Sequence, residues 1–354
     1  VTMDPSEPGT YHIWSRCVRR AFLCGKDKRT GKDYSHRRTW LEERVRKLAA
    51  LFAIDVTFVA VLANQFHLVL SNLPDLVERW SDKEVMRRSC AIFPWKFWDL
   101  LRVIDGRPTK EQLATLVANR PLVAEMRVRL SDPSWLLRQL KQWLAVASNR
   151  EDECRGHFFE APFDHNNVTD EAGLLICGLY VDLNQIAARE AETPEESLHT
   201  SAGMRTAARL LRDEGRHDQA AAMDGFLAPI SARGEDQPYP AAGALGSLRA
   251  SDRGRLELTL DDYLTTLDLV GRLKRPGKAG AIPEHLPPIL ERLGLTVDTL
   301  TAYVEGYEFL FRRAVGMPAS LREFTNRLAQ RWIQGIRAVM GVAAGDARTG
   351  HDAQ

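Results

Sequence analysis

The stretch Asp55–Leu70, DVTFVAVLANQFHLVL, decides the architecture. It holds two runs rich in β-branched and aromatic residues, Asp55–Leu62 and Gln65–Leu70, joined by Ala63 and Asn64, a connection short enough for a hairpin. Just upstream, TWLEERVRKLAALFA (Thr39–Ala53) puts Trp40, Val45, Leu48, Ala49 and Phe52 on one face at helical spacing, with charge opposite. Further upstream, Tyr11–Cys17 alternates as a strand and runs into a polar loop at Lys26–Arg38. Strand, helix, strand, strand is the opening of a ferredoxin-like split β-α-β arrangement. The expected fold class is therefore α+β, an antiparallel sheet with helices on one face.

Downstream the chain reads as mostly helical. Ser81 and Glu84 form an S-x-x-E capping box, Thr109 and Gln112 offer a second start, and Ser134–Asn149 a third helix. His157–Val168 is the last strand region expected in the core. Thr169 then caps a long apolar helix, DEAGLLICGLYVDLNQIAARE, with Asp170 and Glu171 favourably placed against its N-terminal dipole. TPEE at Thr193–Glu196 predicts another helix start. Proline, glycine and alanine predict a linker at 229–255, between a core of residues 1–228 and a separate helical unit over 256–340. A frayed tail is expected over 341–354.

Two features of this pattern carry chemistry. Gln65 and His67 lie two apart on a strand and so face the same side of the sheet. Tyr180 and Asn184 lie four apart on the apolar helix, stacked one turn from each other. Alone, each pair reads as hydrogen-bonded core polarity. If the helix packs on the sheet face that bears Gln65 and His67, a phenol and three groups able to ligate a metal converge.

Composition narrows the class. At 354 residues, with 44% hydrophobic and 27% charged residues, the chain is an ordinary globular protein too long for one small domain. The overall charge of +1 hides a segregation: residues 1–50 hold twelve Lys and Arg against six Asp and Glu. That excess predicts a phosphate-bearing partner met through Arg16, Arg19, Arg20, Arg37 and Arg38. Tyr11 and Trp14, near those arginines, are candidates for stacking on bases. Five cysteines without CxxC spacing predict reduced thiols, and no signal-like or membrane-length apolar run is present, so a cytoplasmic location is expected. No phosphate loop GxxxxGK[ST] and no nucleophile-elbow glycines occur.

NQFHLVL followed by YVDLNQIAA resembles the REP-associated tyrosine transposases within the single-tyrosine HUH superfamily. SRCVRRAFLCG, SDPSWLLRQL, GHFFEAPF and TPEES resemble one longer bacterial branch of them, as do LDDYLTTLDLVGR, PPILERLGL and FRRAVG near the C-terminus. The ordered set, from about Tyr11 through Ser201, is more specific than any one motif. The resemblance implies an HUH nuclease-like core with a helical C-terminal domain. It further implies metal-dependent nicking and rejoining of single-stranded, hairpin-forming DNA through a 5′-phosphotyrosine, with Tyr180 as nucleophile. Gln65, His67 and Asn184 would hold Mg2+ or Mn2+. The family includes monomers and dimers, so assembly stays open. The sequence departs from the family at Gln65, where relatives carry histidine, and at Gln185, where they carry proline. His157, Pro162 and Asp164 stand where relatives carry Arg or Lys. These departures leave an attenuated, domesticated DNA-binding protein as the alternative, and a protein-interaction module as a third reading.

Overall fold

The computed structural model describes residues 3–18, 24–27, 31–94, 96–97, 107–160, 162–194, 196–232, 247–273, 286–330 and 333–345. Five strands form one sheet: β1 (Gly9–Arg16), β2 (Ile54–Val61), β3 (Gln65–Asn72), β4 (Asp164–Val168) and β5 (Ala314–Val315). Their order is β2-β3-β1-β4-β5, antiparallel except for the parallel pair β4 and β5. The hairpin read from Asp55–Leu70 is the β2–β3 pair, with Leu62 N donating to Gln65 O at 2.9 Å across the turn. A β-bulge between Val56 and Phe58 shifts the alternation by one residue, so Val56 and Val59 face one side while Phe58 and Ala60 face the other.

Each sheet face carries its own apolar core. On one, Ile13, Phe66, Leu68 and Leu70 pack with Leu41, Val45 and Leu48 of the helix His36–Ala49 and with the helices between Pro74 and Glu151. On the other, Phe58, Ala60 and Val69 pack with the helix Glu171–Asp182 and with the helices after Leu260. The sheet is thus mixed and covered on both faces, where an antiparallel sheet covered on one face was expected. The cause lies in Glu171–Asp182, whose residues are all buried apart from Glu171 and Tyr180. A helix apolar all round needs cover on both its sides.

That cover comes from the segment the sequence reading sets apart as 256–340. It supplies β5, bonded to β4 through Asn167 N→Arg313 O at 3.0 Å and Thr169 N→Val315 O at 2.8 Å. It also shares the second core through Tyr263, Leu267, Tyr303 and Phe311. Two glycines let the apolar helix sit close: a Cβ on Gly173 would stand 2.5 Å from Val315 O, and one on Gly178 2.6 Å from the Phe58 ring. Of the expected linker 229–255, residues 233–246 lie outside the described residues, and Ser231 pairs with Leu256 across that span. The expected tail starts late, because a helix runs over Ile336–Ala343; residues 346–354 lie outside the described residues.

Caps largely follow the sequence. Ser81 accepts from Glu84 N, and Thr109 and Gln112 make a reciprocal box. The apolar helix is capped by Asp170, whose carboxylate accepts from Gly173 N at 2.6 Å, one residue past the expected Thr169. TPEE starts no helix among the described residues. Thr193 O accepts from Ser197 Oγ, and the chain is drawn onto the β2 edge, where Val61 N donates to His199 O. The helix begins at Ser201 under a Thr200 cap. No described helix is long and apolar enough to cross a membrane.

Asp55 at the start of β2 is fully buried and accepts from Ser251 N at 3.0 Å and Ser251 Oγ at 2.6 Å, which ties the chain around Ser251 to the sheet. Burial pushes its carboxyl up to about 6. A raised carboxyl favours the folded state while protonated, so its contribution is present below the unfolded value near 4 and is lost as pH rises through about 6. Urea unfolding of wild type and Asp55→Asn at pH 4 and pH 7 should therefore differ in trend. The variant should gain roughly 2 to 3 kcal/mol on wild type over that interval. Parallel pH profiles would show that Asp55 does not titrate in this window.

Candidate functional site: a tyrosine cleft over the sheet

The face of β1 that carries His12, Trp14 and Arg16 adjoins the face of β3 that carries His67 and Gln65, with Trp14 opposite His67 and Arg16 opposite Gln65. A cleft of about 430 Å³ opens there. His12, Trp14, Arg16 and His67 form its floor, and Tyr180, Tyr307 and Glu308 stand over them. Tyr180 and His67, read from distant parts of the sequence, do meet, their ring centroids 5.8 Å apart.

Tyr180 is half-buried. Its ring stacks on Tyr307 at 4.0 Å and 10°, and its hydroxyl donates to Glu308 Oε1 at 2.8 Å. Burial, reinforced by the Glu308 carboxylate, pushes the phenol well above its ordinary value; the Asn184 amide opposes that rise. A phenol held so strongly protonated reacts as a nucleophile only if a base takes its proton during attack, and Glu308 is placed to do so.

Beneath it lies a buried relay. The Tyr307 hydroxyl is 3.0 Å from His12 Nδ1 and 3.3 Å from Cys177 Sγ, and His12 Nε2 is 3.0 Å from His67 Nδ1. Burial pushes His12 well down, with His67 adding to it, and pushes His67 down to about 3, aided by the Arg16 charge. Both imidazoles are therefore neutral at neutral pH, with one N–H each. When Tyr307 donates to His12, His67 Nε2 carries a hydrogen; when the chain of donors reverses, it is a bare acceptor. That atom is buried with no hydrogen-bond partner.

His12 is the site residue that sequence reasoning missed. The signal was present, since His12, Trp14 and Arg16 alternate on one strand face, but nothing in that strand says which neighbour lies beside it. Tyr307 and Glu308 were equally invisible, lying 127 and 128 residues beyond Tyr180. Asp182, inside the Tyr-x-Asp-Leu-Asn pattern, proves to be the anchor of the tyrosine helix. It accepts from Ser201 Oγ, from Ala202 N at 3.0 Å and from the Tyr263 hydroxyl at 2.6 Å.

Tested as metal ligands, the expected set does not fit. Gln65 Oε1 accepts from Arg16 Nε at 2.7 Å, which puts a guanidinium where a cation would sit. Asn184 turns its Nδ2 to the Tyr180 carbonyl at 3.1 Å, and neither Gln65 nor Asn184 lines the cleft. His67 alone keeps an open nitrogen. Among the described residues no three His, Cys, Asp or Glu side chains group to hold a metal ion. Gln185, the other departure from the motif, is structural here: its Nε2 donates to Val61 O at 2.8 Å.

The expected phosphate contacts also divide. Arg16 is exposed at the cleft rim. Arg37 is buried between Glu151 and Asp152 over the Tyr34 ring, and Arg38 is held by Glu190 and the Cys24 carbonyl, so both stabilise the fold rather than offer charge to a ligand. Arg19 and Arg20 lie outside the described residues. Trp14 lines the cleft, whereas Tyr11 is buried on the opposite face of the sheet and cannot stack on a ligand there. No family model, no curated protein and no solved structure matches the chain.

Proposed function

We propose that this chain is a tyrosine-dependent strand-transfer protein acting on single-stranded or hairpin-forming DNA, with Tyr180 as the attacking hydroxyl. The observation that carries the reading is the Tyr180 hydroxyl standing in an open cleft beside His67, hydrogen-bonded to a carboxylate. The order β2-β3-β1-β4, with β3 antiparallel to both its neighbours, supports a ferredoxin-like core of the kind the resemblance implies. In the proposed step Tyr180 Oη bonds to phosphorus while the bond to the 3′ oxygen breaks. The phenolic proton passes to Glu308, and the departing oxygen takes a proton from solvent. No metal ion enters this step.

The acidic side of the cleft favours a second reading. Glu160, Asp164 and Glu308 face the same space as Arg16 and Arg312, which weakens attraction for a phosphate. A DNA-binding descendant that keeps the tyrosine without nicking accommodates that balance. The deciding experiment incubates the full chain with end-labelled hairpin single-stranded DNA in Mg2+, in Mn2+ and in chelator, and resolves covalent adducts on a denaturing gel. An adduct supports the transfer reading, and binding without adduct supports the descendant. The absence of both overturns the DNA reading altogether.

A further inference from the structure

We infer that a single-strand track runs across the C-terminal segment, centred on Arg312, with Phe309 and the pair Trp14 and Phe163 as base-stacking platforms to either side. The inference rests on the DNA reading above and assigns its binding surface. Arg312 lines three adjoining concavities. One is the Tyr180 cleft. The second, about 680 Å³, is lined by Phe309, Gln334 and Arg337. The third, about 270 Å³, is lined by Trp14, Phe163 and Arg313.

Three observations point to a polyanion with flat, apolar bases. First, exposed positive charge without an ion pair gathers around these concavities. Arg88, Arg127, Arg253 and Arg292 are each paired with a carboxylate, whereas exposed Arg312, Arg313 and Arg337 have no carboxylate partner among the described residues. Second, Phe309 leaves 51% of its surface exposed, with the Arg312 guanidinium 5.9 Å from its ring centre. An exposed ring beside unpaired arginines is the combination by which single strands are held, phosphates on cations and bases on aromatic faces. Third, the backbone is anchored: Asn166 Nδ2 donates to Phe311 O at 2.7 Å and Asn167 N to Arg313 O at 3.0 Å, so Arg312 and Arg313 project from a segment fixed to β4. The cleft arm, with its three carboxylates, is the poorest of the three for phosphate. Affinity therefore resides in the outer arms, and the cleft receives the strand they hold.

The test is fluorescence anisotropy of a labelled oligodeoxythymidine of roughly 15 nucleotides, a length within the usual range of single-strand sites. The full chain is titrated across a salt series. Arg312→Ala with Arg313→Ala should lower the log–log salt slope by roughly 1.4 and the low-salt affinity about tenfold or more. Phe309→Ala should lose roughly tenfold with the slope unchanged, and Phe309→Trp should retain wild-type affinity. All three positions are exposed, and circular dichroism verifies the fold of each variant. Wild type that binds while the variants match it in slope and affinity overturns the track and leaves the DNA reading standing. Wild type that fails to bind at roughly 20 mM salt, where screening is weakest, overturns the DNA reading and the track with it.

Discussion

Tyr180→Phe should form no covalent adduct with hairpin single-stranded DNA under conditions where wild type forms one, a loss of about 100-fold or more, because the attacking atom itself is removed. Its DNA affinity should stay within about threefold of wild type, since a hydroxyl turned to Glu308 contributes little to binding a polyanion held mainly by arginines. The neighbouring hydroxyl cannot substitute. Tyr307 stacks on the same ring, but it is buried and its oxygen is engaged by His12 and Cys177. Glu308→Gln should slow adduct formation roughly 100-fold while leaving Tyr180 in place, as expected on removing a general base. It should also raise DNA affinity modestly by removing a carboxylate from the cleft. Undiminished adduct with the phenylalanine variant would place the nucleophile elsewhere. Undiminished rate with the glutamine variant would leave Tyr180 as nucleophile and dismiss Glu308 as its base.

Asp182→Ala should destabilise the fold by roughly 3 to 5 kcal/mol, the cost typical of breaking a buried charged network. The carboxylate is fully buried and receives three donors, from Ser201, Ala202 and Tyr263, all of them buried. Alanine leaves each donor without a partner. Arg205, itself buried and donating to the Thr57 and Ala228 carbonyls, loses the negative charge that favours its ionised form. Asp182→Asn keeps one acceptor oxygen and should cost less, roughly 1 to 3 kcal/mol. The readout is the urea midpoint at unchanged slope. An alanine variant as stable as wild type would mean that the tyrosine helix is held by apolar packing alone. Because Asp182 joins the tyrosine helix to the helices starting at Ser201 and Leu260, its loss should also loosen Tyr180 relative to Glu308.

What could be read in advance follows from the range of each signal. Alternation and capping are local, so the β2–β3 hairpin, the shared face of Gln65 and His67, the Ser81 cap and the box at Thr109 were legible, although Glu84 turns its carboxylate to Arg87 and Arg88 instead of closing the Ser81 box. The meeting of Tyr180 with His67 was legible as a conditional, given that an apolar helix must bury itself somewhere. Which groups complete the cleft was not, because strand register and long-range packing bring His12, Tyr307 and Glu308 there, and no local pattern encodes them. Charge counting misled for a related reason. Arg37 and Arg38 look like free positive charge in a basic N-terminal third, yet Glu151, Asp152 and Glu190 neutralise them from far along the chain. Arg312, Arg313 and Arg337, far along the chain, are among those left without a carboxylate partner among the described residues. Thr193 looked like a helix cap because propensity cannot see the β2 edge that captures the residues after it.

The short strand β5 also sets an order of events while the chain is being made. Thr169 waits for Val315, 146 residues later, before its own bond to that strand can close. At ordinary synthesis rates of about 5 to 20 residues per second, that separation corresponds to roughly 7 to 30 s in which β4 presents an unpaired edge. Over the same interval the apolar helix lacks its outer cover, and Tyr180 has no carboxylate beside it. On the proposed chemistry the nascent protein stays silent until Tyr307 and Glu308 emerge, and a ribosome that stalls before them releases a sticky chain with an unarmed tyrosine.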